Sequence, residues 1–290
     1  MNYSKFLLRN EIDLNGKTVA ITGATGSLGR QTALFVAKSG GHLLFLDRNK
    51  AKSQKLKNEI LKISPLSQVN RIETDFSTCE SIFNSSKALS QTHVDFLVLN
   101  AGVFNIPREV GVLGYDKIFE VNYLMPYLLI RNLIPYLKKH KTKVIIIGSI
   151  AYKKSKFKTN DIDFTKEKSQ IRVYGNSKRF LMFSLSSLFE KEGIDFAVAH
   201  PGITATNLTA HYPKWINWLI KGLMKCVFHS PKKGCMTILI ATKTKCEIGQ
   251  WIGPKVFGVW GKPTKKNYNF NKEESEMMFK ITENIIKMKI

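Results

Sequence analysis

Six short apolar runs punctuate the first two hundred residues: Thr18 to Thr22, His42 to Leu46, Val69 to Glu73, Val94 to Leu99, Val144 to Ile147 and Phe196 to Ala199. Several are nearly continuous Val, Ile and Leu, as strands covered on both faces must be. Between them, apolar residues recur every three or four positions. This spacing predicts helices at Leu28 to Ser39, Lys50 to Ile63, Ser77 to Ser90, Gly114 to Lys139 and Ser169 to Glu192. Gly40-Gly41 and Gly193 stand where helix C-caps belong. The alternation predicts repeated βαβ units, hence an α/β fold with a single doubly wound parallel sheet and helices on both faces.

No Pro/Gly/Ser linker interrupts the series and no internal repeat is visible, so residues 1–290 read as one domain. The alternation lapses after Pro201 and returns near Lys255 to Trp260, where a last strand is expected. Residues about 262–290 then read as a basic tail.

Hydrophobic residues make up 43% of the 290, enough for a large core, which excludes intrinsic disorder. No apolar run reaches the roughly 18 residues of a membrane span. The first residues offer only Phe6, Leu7 and Leu8 before Arg9 and Glu11, too short and charged for a secretion signal, and a cytoplasmic location is expected. Cys79, Cys226, Cys235 and Cys246 form neither a C-x-x-C pair nor a zinc spacing with histidine, so free thiols and no metal site are expected. The 45 Lys and Arg outweigh 22 Asp and Glu by +23. Lysine dominates this excess, in clusters around Lys138, Lys153 and Lys262 that lack the interleaved aromatics of a nucleic-acid module. A solvated basic surface is the reading, with no specific nucleic acid expected.

Candidate chemistry begins at the first strand, which ends in Thr22-Gly23-Ala24-Thr25-Gly26-Ser27-Leu28-Gly29 and runs into a helix. Glycines there allow a tight turn and bring backbone N–H groups up to a pyrophosphate at the helix N-terminus. Asp47 ends the second strand, 18 residues after Gly29, where an acid can accept hydrogen bonds from ribose hydroxyls; its plainer reading is a turn residue. A carboxylate there repels a 2′-phosphate and favours NAD, whereas the adjacent Arg48 could pair with that phosphate and leaves NADP open. Tyr174 and Lys178, four apart on a predicted helix, share one face. An ammonium beside a phenol lowers the phenol's pKa and prepares it for proton transfer; alone, the spacing also fits an exposed helical pair. Ser149 follows the fifth strand, at the end of the sheet where ligands bind in such folds.

Together these segments resemble the short-chain dehydrogenase/reductase family, from about Leu14 to Pro263, and its retinol-dehydrogenase-like branch in particular. The resemblance implies a Rossmann-like sheet and an NAD(P)-dependent oxidoreductase acting on an alcohol or carbonyl. Asn100-Ala101-Gly102 matches the family's NAG turn near the cofactor, and Asp75 matches the acid at the adenine. Asn122, Ser149, Tyr174 and Lys178 match the catalytic tetrad, and His200-Pro201-Gly202 through Thr206 resembles the nicotinamide-carboxamide segment. The glycine turn reads TGxxGxxG, with Ser27 where small members carry glycine.

The resemblance implies that Tyr174 exchanges the proton, Lys178 holds the nicotinamide ribose and, with the positive ring of the oxidised cofactor, depresses the tyrosine pKa, Ser149 binds the substrate oxygen and Asn122 anchors a relay water. It also implies a substrate lid over about 205–230, where Trp215, Trp218, Leu219, Leu223 and Val227 form an apolar stripe, and hence a lipophilic substrate. The stripe also fits core packing, the plainest reading and one compatible with a lid, and after these peripheral membrane contact aided by Lys214, Lys221 and Lys225. Family habit further implies a homodimer or homotetramer through the helices beginning near Gly114 and Ser169. A non-catalytic dinucleotide sensor with the same fold is the alternative.

Overall fold

A computed structural model of the chain describes residues 9–10, 12–156, 162–202 and 230–290. Eight strands form one sheet in the order β3-β2-β1-β4-β5-β6-β7-β8. These are β1 Thr18–Thr22, β2 His42–Asp47, β3 Val69–Glu73, β4 Phe96–Leu99, β5 Lys143–Ile147, β6 Phe196–Ala199, β7 Gln250–Val256 and β8 Trp260–Asn267. The first seven are parallel; β8 alone is antiparallel, paired with β7. The strand order reverses between β1 and β4, which opens a crevice at their carboxyl ends.

The side-chain period of two sorts the apolar strands onto two cores. Ala20, Leu44, Leu97, Ile146 and Val198 face one layer, with the helices α3 (Cys79–Leu89), α4 (Met125–His140), α5 (Gln170–Glu192) and α7 (Lys272–Lys289). Val19, Ile21, Phe45, Val98, Ile145 and Ala197 face the other, with α1 (Ser27–Lys38), α2 (Lys50–Ile63) and α6 (Pro231–Lys243). Burial on both faces is why β5 reads as unbroken apolar sequence.

Three sequence expectations need correction. The helix expected over Gly114 to Lys139 is built in pieces: a short turn Lys117–Phe119, a π-helical turn Glu120–Leu124, and then α4. The strand expected near Lys255 to Trp260 is instead a hairpin tip, with Phe257 (φ 48°) and Gly258 (φ 69°) between β7 and β8. Positive φ at both central residues matches the right-handed twist of the flanking strands.

Residues 262–290 are not a tail either. They hold most of β8 and then α7, whose first turn is capped by Asn271 accepting from the Glu274 N–H at 2.8 Å. The stripe Met278, Ile285 and Ile286 is buried. Ser275 Oγ donates to the Phe183 carbonyl at 2.8 Å, and Arg179 binds the Glu274 carboxylate through two nitrogens, one at 2.7 Å. Glu283 accepts from Tyr127 and Arg131 at 2.8 and 3.2 Å. Thus α7 of the same chain lies over α5 and reaches α4, the helices on which the expected dimer rested.

Candidate functional site

The glycine turn connects β1 to α1 at the crevice. Gly26 caps α1 from an extended conformation and no side chain caps it, so N–H groups of the first turn are left for a ligand. Backbone crowds the turn: a Cβ on Gly29 would stand 2.4 Å from the Gly23 carbonyl oxygen and 2.9 Å from Ala24 Cα. Asn100 locks the turn to β4, its Nδ2 donating to the carbonyls of Thr22 and Gly23 at 2.9 and 3.0 Å. Thr22 Oγ1 accepts from the N–H groups of Asn100 and Ala101 at 2.9 and 2.8 Å. An uncapped helix end reached over residues too close-packed for side chains suits a pyrophosphate. Ser27, Arg30 and Lys232 line an open cavity of about 400 Å3 there.

Asp47 does stand at the end of β2, but its carboxylate is turned inward and only 5% exposed. It accepts from the Thr25 N–H and hydroxyl, both at 3.2 Å, and more weakly from Ser53. Burial raises its pKa, while the hydrogen bonds from Thr25 pull it back down. Arg48 is exposed at the crevice rim, and Arg71 beside it donates to the carbonyls of Asp47 and Arg48, both at 3.1 Å. Asp75 lies after β3 with one carboxylate oxygen accepting from the Ser77 N–H and hydroxyl at 2.9 and 2.6 Å.

Across the crevice, α5 carries Tyr174 and Lys178 on one face, and Ser149 follows β5. Ser149 is extended and caps the 3-10 turn Ile150–Lys154 through the Ala151 N–H at 3.2 Å. That turn crosses α5 so closely that a Cβ on Gly175 would meet the Ala151 carbonyl at 2.6 Å. The approach brings the Ser149 hydroxyl to that of Tyr174, where its hydrogen bond works against the rise that burial imposes on the phenol's pKa. Lys178 is 4% exposed; its Nζ donates to the Ile147 carbonyl at 3.0 Å and lies 5.8 Å from the Tyr174 ring centre. Burial brings its pKa down to about 8.

One sequence expectation shifts here. Tyr174 is raised, not lowered, because desolvation outweighs the other influences and the ammonium points to Ile147. The Asn122 side chain, in the π-helical turn, accepts from the Val103 N–H at 2.7 Å and donates to the Val103 carbonyl at 2.9 Å and Ser177 Oγ at 3.3 Å. It therefore clamps the Gly102–Val103 turn to α5. The wider π turn is what carries it there.

Pro201 and Gly202 (φ 77°) follow β6 at the same end of the sheet. Thr206 and Cys226, and the expected lid apart from Ser230, lie outside the described residues. Sequence reasoning missed Thr22, the hub of the two turns, and Gly175, whose position inside a helix beside Tyr174 was a readable signal of close packing. It also missed Phe104, which meets the Tyr174 ring edge-on at 5.0 Å. Among the described residues, no group of acids, cysteines and histidines could hold a metal, and no helix is long and apolar enough to cross a membrane.

This layout, a glycine turn at a strand-order reversal facing a Ser-Tyr-Lys cluster, defines a nucleotide-binding α/β oxidoreductase. The profile of the short chain dehydrogenases matches residues 17–217. The chain belongs to that family of NAD(P)-dependent oxidoreductases, and falls with its retinol-dehydrogenase-like branch.

It is 28% identical over 258 residues to an uncharacterized oxidoreductase of Schizosaccharomyces pombe, covering 83% of this chain and 76% of that one. To human retinol dehydrogenase 14 it is 27% identical over 266 residues, covering 83% and 79%. It spans less than two thirds of some other relatives, such as 61% of human retinol dehydrogenase 13. A crystal structure of a putative uncharacterized protein from Mycobacterium paratuberculosis shares the fold, with TM-score 0.74, 21% identity and 95% of each chain covered.

Proposed function

We propose that this chain interconverts an apolar alcohol and its carbonyl, with Tyr174 as the proton-exchanging acid or base. The observation that carries this is the Ser149–Tyr174–Lys178 cluster at the carboxyl end of β5, half-buried Ser149 and Tyr174 beside the buried Lys178, at the same end of the sheet as the uncapped N-terminus of α1. A bound nicotinamide dinucleotide would supply or accept the hydride. The protein's own part is to present a phenol O–H to the substrate oxygen and to hold that oxygen with the Ser149 hydroxyl as charge develops on it. Lys178 uses one ammonium N–H on Ile147, which leaves two to bind ribose hydroxyls. Tyr174 carries its proton at neutral pH and can donate it to a carbonyl oxygen.

Although Asp47 by itself favours NAD, NADP is the cofactor we infer. Thr25 and Ser53 already engage the Asp47 carboxylate, and exposed Arg48 is free to meet a 2′-phosphate. Relatives that are retinol and polyprenol dehydrogenases support an apolar substrate. Because α7 lies over α5 and reaches α4, we infer that the chain is a monomer or assembles through another face.

Replacing Tyr174 by Phe tests the chemistry. Turnover with a panel of apolar ketones and aldehydes, followed at the nicotinamide absorbance, should fall at least about a hundredfold. Dinucleotide affinity should stay within a few fold; turnover at the parent rate would show that the acid is another group.

A further inference from the structure

We infer that the β7–β8 hairpin tip docks on an anionic lipid surface, with Phe257 inserting at the interface and lysines around it contacting headgroups. Phe257 is 82% exposed and Val256 beside it 44% exposed. At φ 48°, Phe257 occupies a left-handed position that Asn, Asp or Gly fills more readily, and with 82% of it exposed little packing repays the choice. Strain at an exposed bulky residue points to a use other than folding.

Along the hairpin sequence the charge has one sign. Residues 248–272 contain Lys255, Lys262, Lys265, Lys266 and Lys272 and no acid. The 3-10 turn next to the hairpin adds exposed Lys153 and Lys154, and it is held there by Tyr152, whose ring lies 5.9 Å from those of Trp251 and Tyr268. Lysine and Pro263 on an edge strand also deter pairing with other chains, which accounts for the charges on β8. It does not account for Phe257 at the turn.

Lysines act as flexible point charges without the planar fork of arginine, and the aromatic stands 82% exposed beside them. That combination suits a fluid anionic surface better than the fixed geometry of a protein partner. The tip also sits at the mouth of the crevice: the Gly258 carbonyl lies 2.9 Å from His200 Nε2, and a Cβ on Gly258 would lie 3.5 Å from Ile150, the residue after Ser149. Docking there turns the mouth toward the bilayer.

The test is co-sedimentation of the full chain with phosphatidylcholine vesicles, with and without phosphatidylserine, at low and high salt. Binding should require phosphatidylserine and weaken as salt screens the lysines. Phe257→Asn should weaken it on the order of tenfold while raising the melting temperature, because Asn relieves the turn. Lys255→Glu and Lys262→Glu should each weaken it about fivefold or more. Equal binding by Phe257→Asn, equal binding to neutral vesicles, or retention by nucleic acid without vesicle binding would each overturn the inference. A dinucleotide-induced rise in melting temperature, measured on the same samples, reports on the oxidoreductase reading separately.

Discussion

Replacing Lys178 by Met removes an ammonium that the fold holds at a cost, and the cost has a definite pH dependence. The folded pKa is about 8 and the ordinary value 10.5. Below pH 8 the folded and unfolded chains both carry the proton, and the native state bears the full burden of a buried charge, about 3 kcal/mol at 1.36 kcal/mol per unit. Between pH 8 and 10.5 the unfolded chain binds more protons than the folded one, so the burden is relieved and stability rises with pH. The advantage of Lys178→Met over the parent should therefore shrink by about 2–3 kcal/mol from pH 7 to pH 10. Urea unfolding of both proteins at the two pH values, followed by tryptophan fluorescence, gives the difference directly. Other titrating groups, such as the buried tyrosines, are common to both chains and cancel. A gap that stays constant within about 0.5 kcal/mol would mean that Lys178 is not depressed, since a shift even half this size moves the gap by more.

Four further outcomes follow from features already described. Gly29→Ala places a methyl 2.4 Å from the Gly23 carbonyl, so it should abolish the dinucleotide-induced rise in melting temperature and destabilise the free protein by about 1–3 kcal/mol. Arg48→Ala should raise the KM for NADPH about tenfold or more and leave that for NADH unchanged; an equal effect on both would remove the 2′-phosphate role. Glu274→Ala strips Arg179 of its carboxylate at the α5–α7 seam and should cost about 1–2 kcal/mol in a denaturant melt. Light scattering with crosslinking on the parent chain should give one copy or an assembly whose contacts avoid α4 and α5, and a dimer joined through those two helices would contradict the covered-face assignment.

The parallel part of the sheet was legible because each of its strands reports locally on its own burial: Val144 to Ile147 is apolar whatever its neighbours are. The carboxyl end of the chain was harder. The stretch Val256 to Trp260 is apolar, yet its chain reverses at Phe257-Gly258, a pair without the Asn-Gly or Asp-Gly signature of such turns. In α7 the Asn271 cap, the Glu274 after it and the Met278, Ile285, Ile286 spacing are all present, but seven lysines over residues 262–290 point toward a solvated tail. The tetrad positions were readable from spacing and order. The direction of the Asp47 carboxylate was not, because Thr25, 22 residues earlier, decides it.

The same distinction separates what the site contains from how it is charged. Four residues of spacing place Tyr174 and Lys178 together, and that proximity alone argues for a lowered phenol. Burial reverses the result: in a medium that solvates charge poorly, each group is pushed toward its neutral form, the phenol upward and the ammonium downward. A fold under no functional demand has little reason to keep a lysine 4% exposed with one carbonyl as its partner. Two uncommitted N–H donors in a crevice lined by a glycine turn give that reason, since hydroxyls arriving there satisfy what the protein leaves open. Binding and chemistry are thus coupled through one side chain, because the ligand that Lys178 anchors is set down beside the Tyr174 hydroxyl.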